Sequence, residues 1–399
     1  LGGDLLDALS SLVEHSLVRQ SEIAGEPRFR MLVTIREFAL ERLDESKERD
    51  EIRMRHARAY LALAEEARPY IQQRDQKRWL DLLELEHDNL RAALESSIAD
   101  GRAEDACRLV YALWRFWQVR GHLVEGSRWC ERVLALATEA VPPLVLMRAL
   151  EASAGIAYWR GDIATAQDGY TKAVAIALGH GGDAEQANAE YNLSFVYGIP
   201  GSDLPRALDL LRSARQKMAR LGDRAGVARA AWGLATFLQF GRRGQVDPSR
   251  LEEARLAVEE ALAVHRAGTN RFDLGWSLHL AGMIDVKRGE FARALAKFRE
   301  AAQIFTQDND VSGLVIIASN CAELAGYQGD LVRQATLVGF ATALAERSGT
   351  GILRQISTQD RRIEPKDIAP EFRAALDRGR AMDIAEGIAY ALEDAEVRA

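Results

Sequence analysis

The chain has 399 residues, 48% of them apolar and 28% charged, which is enough for two or three ordinary domains with real cores and excludes disorder as its general state. The greasiest stretch, Gly313 to Ala318, stops at Ser319 and Asn320, far short of the ~18 residues a membrane span needs. Net charge is −7 and the sequence pI is near 5.7, so neither direct DNA binding by this piece nor membrane association is expected.

The start, Leu1-Gly2-Gly3-Asp4, has neither an initiator Met nor the basic and apolar regions of a signal peptide, and the natural N-terminus is expected upstream. An apolar-periodic helix is predicted over Leu5 to His15. It is followed by an alternating run at Leu17-Val18-Arg19, a turn at Gly25-Glu26-Pro27, a second short run from Arg28 to Leu32 and a helix from Thr34. A helix, a two-stranded wing and a helix make the back half of a winged-helix domain, placed at residues 1–50. From residue 47 onward the chain reads as mostly helix. Most of the nine prolines lie between Ala- and Leu-rich segments, where a missing amide donor marks helix ends.

Helical-hairpin repeats place a small residue where two helices cross and a larger one four positions later. Such pairs occur at Gly126/Cys130, Ala166/Tyr170, Ala207/Leu211, Ala254/Val258, Ala294/Phe298 and, less well matched, Gln334/Val338. Turns precede most of these helices, at Gly121-His122, Gly161-Asp162, Ser202-Asp203, Gly289-Glu290 and Gly329-Asp330. The repeat is longer than the ~34 residues usual for tetratricopeptide units. One longer step holds the polar insert Gly241 to Arg250. Stacked hairpins curve into a superhelix with a concave binding surface.

Registering each first helix on its turn puts Tyr111, Arg115 and Gln118 in that concavity, then Glu151, Tyr158 and Trp159, then Tyr191, Asn192 and Phe195, then His279, Met283 and Lys287, and last Asn320, Glu323 and Tyr327. Aromatic plates with amides and single charges suit a peptide or a small polar ligand. The alternative is that some of these rings only pack repeat against repeat. The ligand candidates chosen are Arg115, Trp159, Tyr191, Asn192, His279 and Asn320, all expected to be at least partly exposed.

Several segments together resemble the C-terminal half of bacterial signal-transducing ATPases with a tetratricopeptide sensor, the group that holds LuxR-type and maltose-regulator-like activators. They are Leu9 to Val18, Arg28 to Ala39, Trp79-Leu80 with Glu86-His87-Asp88-Asn89-Leu90-Arg91-Ala92-Ala93-Leu94, Leu113 to Trp117 with Arg120-Gly121-His122, and Gly379-Arg380-Ala381-Met382. The resemblance implies an upstream ATPase domain as partner, a winged helix and a repeat sensor. Some members carry a DNA-binding helix-turn-helix beyond the repeats. The glycine-rich phosphate loop ending in Gly-Lys-Ser/Thr occurs nowhere in this chain, so ATP hydrolysis by that chemistry is not expected from it.

Other chemistry finds little footing. The seven histidines show no HxxxH or HExxH spacing, and the three cysteines, Cys107, Cys130 and Cys321, form no CxxC. They read as the reduced, packed thiols of a cytoplasmic protein without metal or cofactor. Glu86-His87-Asp88 holds acid–base residue types, but three consecutive helical positions diverge, so it reads as a packing or capping element. The pairs Arg242-Arg243 and Arg361-Arg362 read as solvated charge, and Trp114, Phe116 and Trp117 as a junction between the leading helices and the repeats. The expected architecture is an all-α tetratricopeptide-like superhelix with a partial winged helix at 1–50, a helical linker at 51–103, repeats at 104–348 and a C-terminal loop with capping helices at 349–399. Its expected function is that of a sensor and protein-interaction region of an ATP-dependent transcriptional regulator, taking a small effector, peptide or protein in the groove. A constitutive protein–protein scaffold is the alternative.

Overall fold

The computed structural model describes residues 2–23, 26–73, 75–137, 139–199, 202–240, 246–352 and 369–393. Among them are 19 helices and one two-stranded sheet, an all-α helical-repeat architecture. None of these helices is long and apolar enough to cross a membrane. The insert arginines Arg242 and Arg243, and Arg361 and Arg362, lie outside the described residues, as does Gly25 of the expected turn.

Two compact units are present, Leu1–Ala59 and Tyr60–Ala399. In the first, α1 (Gly2–Glu14) is followed by strands β1 (Val18–Ile23) and β2 (Glu26–Met31), then α2 (Val33–Glu45) and the start of α3 (Arg49–Ala67). The strands pair antiparallel from Val18 opposite Met31 to Ile23 opposite Glu26. Val18 is buried, whereas Leu17 before it and Arg19 to Glu22 after it are exposed. No side chain of α2 is buried, and Leu6, Phe29, Leu32, Val33 and Phe38 are exposed apolar groups.

The second unit runs from the end of α3 through α4 (Gln76–Leu85), α5 (His87–Ala99), α6 (Ala103–Arg120), α7 (Leu123–Leu136), α8 (Pro143–Arg160), α9 (Ile163–His180), α10 (Asp183–Tyr197), α11 (Leu204–Arg220), α12 (Arg224–Leu238), α13 (Pro248–Ala267), α14 (Arg271–Lys287), α15 (Phe291–Gln307), α16 (Val311–Tyr327) and α17 (Leu331–Ser348) to α18 (Pro370–Ala381) and α19 (Ile384–Leu392). Helix starts are fixed by side-chain caps: Asp162, Asp203, Asp223, Asp310 and Asp330 each accept a hydrogen bond from a backbone N–H in the first turn that follows. At the other end, Gly121 and Gly161 adopt φ of 79° and 80°, the left-handed conformation that lets the chain reverse after α6 and α8.

The five well-matched crossing pairs are all buried, from Gly126/Cys130 to Ala294/Phe298. A Cβ added at Gly282 would stand 2.4 Å from the Phe298 ring and 3.2 Å from the Ala294 carbonyl oxygen, so the helices touch almost backbone to backbone. The sixth pair departs from the pattern. Gln334 and Val338 are only half-buried, whereas Arg333 and Leu337 are buried, because the Arg333 guanidinium donates to the carbonyls of Ala391 and Glu393 at the end of α19. The capping helices therefore turn α17 toward themselves.

The superhelix closes on itself. Gln118 at the end of α6 donates from Nε2 to Ser312 Oγ of α16 at 3.3 Å, a buried contact across 194 residues. Beyond α17, the backbone N–H groups of Gly351 and Ile352 both donate to the Trp159 carbonyl of α8, at 2.8 and 3.1 Å. Glycine is required at 351, because a Cβ there would lie 2.0 Å from the Arg160 carbonyl oxygen. The expected groove is thus bridged along one side by this seam.

Candidate functional site

The first helices of the hairpins, α6, α8, α10, α12, α14 and α16, turn one face each toward a common cavity of about 370 Å³. Large rings fill the spaces between them, and their contacts run on without a break. Tyr158 meets Phe195 edge to face at 5.9 Å, Phe195 stacks on Trp232 at 5.9 Å, and Trp159 of α8 meets Trp276 of α14 at 5.4 Å from across the ring. These last two residues are far apart in sequence, and the closure of the superhelix brings them together.

Arg115 is the central charge. Its guanidinium lies 3.8 Å over the Trp114 ring and 5.4 Å from the centre of the Phe272 ring, and its Nη1 donates to Gln118 Oε1 at 2.5 Å. Among the described residues no carboxylate comes within 4.0 Å of it. Arg115 is half-buried on the cavity wall, and burial pushes its pKa below the ordinary arginine value. Tyr170 and Tyr191 lie near enough to act on it electrostatically. Burial raises both phenols, and Tyr158 as well, well above the usual tyrosine range, so all three remain hydroxyl donors.

Two polar pairs flank this centre. Asn192 Nδ2 donates to Glu151 Oε1 at 3.1 Å, and burial pushes the Glu151 carboxyl up to about 7. Asn320 Nδ2 meets His279 Nδ1 at 3.1 Å. An amide nitrogen only donates, so this contact assigns the His279 proton to Nε2. Burial lowers the His279 pKa to about 3, which keeps the imidazole neutral.

Of the six candidate ligand residues, Arg115, Trp159, Tyr191, Asn192 and His279 line the cavity and Asn320 does not. Asn320 is 8% exposed and stands behind His279, against the expectation of partial exposure, because α16 is buried on several sides by α14, α17 and α6. Tyr111, Glu151, Tyr158 and Phe195 also line the space. Gln118 belongs to the seam and Met283 to the core, while Lys287 donates to the Gln239 carbonyl and Tyr327 is half exposed. Sequence reasoning missed Tyr170, Arg229, His265, Asp273 and Trp276. Tyr170 had been assigned a crossing role, and its signal was the hydroxyl, which the crossing position does not need.

Outside the cavity, Glu84, His87 and His122 place one potential metal-ligand atom each within 4.8 Å of one another. These groups already have protein neighbours: His122 Nε2 contacts both Glu84 oxygens at 3.1 Å, and His87 Nε2 lies 3.3 Å from Glu125 Oε1. Burial alone would raise Glu125, but hydrogen bonds involving Arg91, His87 and Trp129 outweigh it and hold that carboxylate far below its usual range. Glu86 accepts from Tyr60 and Asn89, so Glu86-His87-Asp88 ties helices together. Phe116 and Trp117 are fully buried, whereas Trp114 reaches the cavity.

No family model matches the chain. Two curated proteins, "Putative HTH-type transcriptional regulator Mb0914c" of Mycobacterium bovis and "Putative HTH-type transcriptional regulator Rv0890c" of Mycobacterium tuberculosis, are 30% identical to it over 359 residues. The similarity covers 86% of this chain, which spans 38% of the length of these relatives. The chain is therefore similar to part of proteins named as transcriptional regulators. Among solved structures, the crystal structure of BtubC (BKLC) from P. vanneervenii matches 64% of this chain and 92% of its own at 19% identity, with a TM-score of 0.38, too low to define a shared fold.

Proposed function

We propose that this chain is the sensor and protein-interaction region of an ATP-dependent transcriptional regulator of the tetratricopeptide-sensor class, cytoplasmic, with a small effector bound inside the ring. The observation that carries this reading is Arg115, a cavity-facing guanidinium with no carboxylate partner among the described residues, surrounded by aromatic walls and phenolic hydroxyls. Similarity to proteins named as transcriptional regulators supports the regulatory part. A cavity of about 370 Å³ narrowed by the seam favours a small effector over a protein.

In this reading the region at 1–50 is a partial winged helix that joins the sensor to an upstream ATPase domain, and the chain itself has no catalytic role and no cofactor. A ligand that bridges α6, α8 and α14 binds the closed ring better than an opened one, and that difference in affinity is what shifts the regulator between states. The test is a promoter–reporter assay in the full-length protein, with native mass spectrometry of the same protein from its host. Effector response lost on Arg115→Met, in protein that melts normally and no longer retains a small molecule, supports the reading. A response that survives the substitution sinks it.

A further inference from the structure

The cavity has a charge deficit that defines what it takes. Arg115 carries a permanent positive charge on the wall of an aromatic cavity, and its Nη1 is committed to the neutral Gln118. The two acids on the cavity wall do not answer it. Asp273 accepts from Asn270 Nδ2 at 2.8 Å and acts on Arg115 only through space. Glu151 is engaged by Asn192 and is pushed toward its neutral form by burial. A second guanidinium, Arg229, also lines the cavity, and its Nε is buried without a hydrogen-bond partner. Nearby hydroxyls on Tyr158, Tyr170 and Tyr191 are donors, and the indole N–H of Trp276 is a further donor without a partner. Donors thus outnumber acceptors around Arg115.

Shape supplies the other half of the argument. Four of the seven tryptophans, Trp114, Trp159, Trp232 and Trp276, stand on the wall, and their contacts with each other and with Phe195 make most of that wall aromatic. A volume of about 370 Å³ is in the lower part of the range for small-molecule sites. Of the two half-buried guanidiniums on the wall, Arg229 has Asp223 Oδ2 at 3.9 Å, which leaves Arg115 for a single negative charge, while Arg68, also on the wall, is exposed.

Resting on the reading of the cavity as an effector site, we propose that it takes a small planar apolar monocarboxylate, the carboxylate on Arg115 with the hydroxyls of Tyr170 and Tyr191, the body against Trp159, Phe195 and Trp276. Calorimetric titration of the whole chain with 2-naphthoate, 2-naphthamide and 2-naphthylmethylammonium tests it. The carboxylate binds at one site, the amide at least about tenfold more weakly, and the ammonium more weakly still. Arg115→Met removes the preference for carboxylate over amide. Tyr191→Phe keeps the ring and, because its hydroxyl donates more strongly to a carboxylate than to an amide, narrows that preference roughly threefold; it carries the test if the Arg115 variant does not fold. An amide or ammonium that binds as tightly as the carboxylate, or a preference unmoved by both substitutions, overturns the anion assignment and leaves the effector reading in place. No binding by any of the three probes overturns both.

Discussion

Asn192 Nδ2 and Glu151 Oε1, 3.1 Å apart, join the first helices of two consecutive hairpins at the cavity wall. Burial raises the Glu151 carboxyl to about 7, and the Asn192 hydrogen bond only partly offsets this. In the unfolded chain a glutamate titrates near ~4.3. The native state therefore keeps a proton that the unfolded state loses, and the stability from this group, full below about pH 4.3, is lost as pH rises through about 7. Glu151→Gln keeps the shape without the titration. Relative to wild type it gains stability between about pH 5 and about pH 8, on the order of 2 kcal/mol. Urea melts of both proteins at the two pH values check this. Taking the difference removes the opposing contribution of His279, whose lowered pKa makes stability fall as pH drops below its ordinary value toward about 3. A difference independent of pH would remove Glu151 from the account.

Asn320→Ala takes away the donor that fixes His279. Near-neutrality would follow if Asn320 faced solvent, but at 8% exposure its loss leaves a buried imidazole nitrogen without a partner, at a cost of about 1–3 kcal/mol. Nitrogen-resolved NMR of the imidazole should show a Nε2–H tautomer in wild type and a mixture in the variant. A variant within experimental error of wild type in both melt and spectrum contradicts the role.

Ala294 is fully buried at its helix crossing, against Gly282 and Phe298. Ala294→Leu overpacks the α14/α15 hairpin and costs about 1–3 kcal/mol in a thermal or denaturant melt. Ala292→Leu, at an exposed position of the same helix, serves as the control. Equal effects at buried and exposed sites would mean that the crossing is looser than described.

Gly351→Val tests the seam directly. Its Cβ would meet the Arg160 carbonyl oxygen at 2.0 Å, and the strain is relieved when the segment leaves Trp159. Expected outcomes are faster hydrogen exchange at Ile352 and a larger radius of gyration by small-angle scattering, with helix content unchanged. Unaltered scattering and exchange would show that the ring does not depend on this contact.

The repeats were legible because crossing geometry is local: Ala166/Tyr170 or Ala294/Phe298, set four apart after a glycine or aspartate turn, are visible in a short window of sequence. Half of the cavity was legible for the same reason, since Arg115, Trp159 and His279 follow from the register of single helices. What the window does not contain is pitch. Trp159 meets Trp276 and Gln118 meets Ser312 only because small rotations, added over several hairpins, return the chain to its start. Nothing in either neighbourhood records that sum. Asn320 failed for a related reason, because α14 and α6, outside its own hairpin, add to the burial of α16.

The Gln118–Ser312 and Trp159–Gly351 contacts also change how the molecule comes apart. An open stack of repeats behaves as a row of units coupled to nearest neighbours, and its ends fray first. Joining the first hairpin to the last removes the free ends, so no repeat can leave without opening two interfaces at once. Unfolding of such a loop is cooperative from any starting point, and a disturbance at one unit reaches the unit opposite by two routes. For a module that must report on one small molecule, this spreads the consequence of a single contact over the whole circumference.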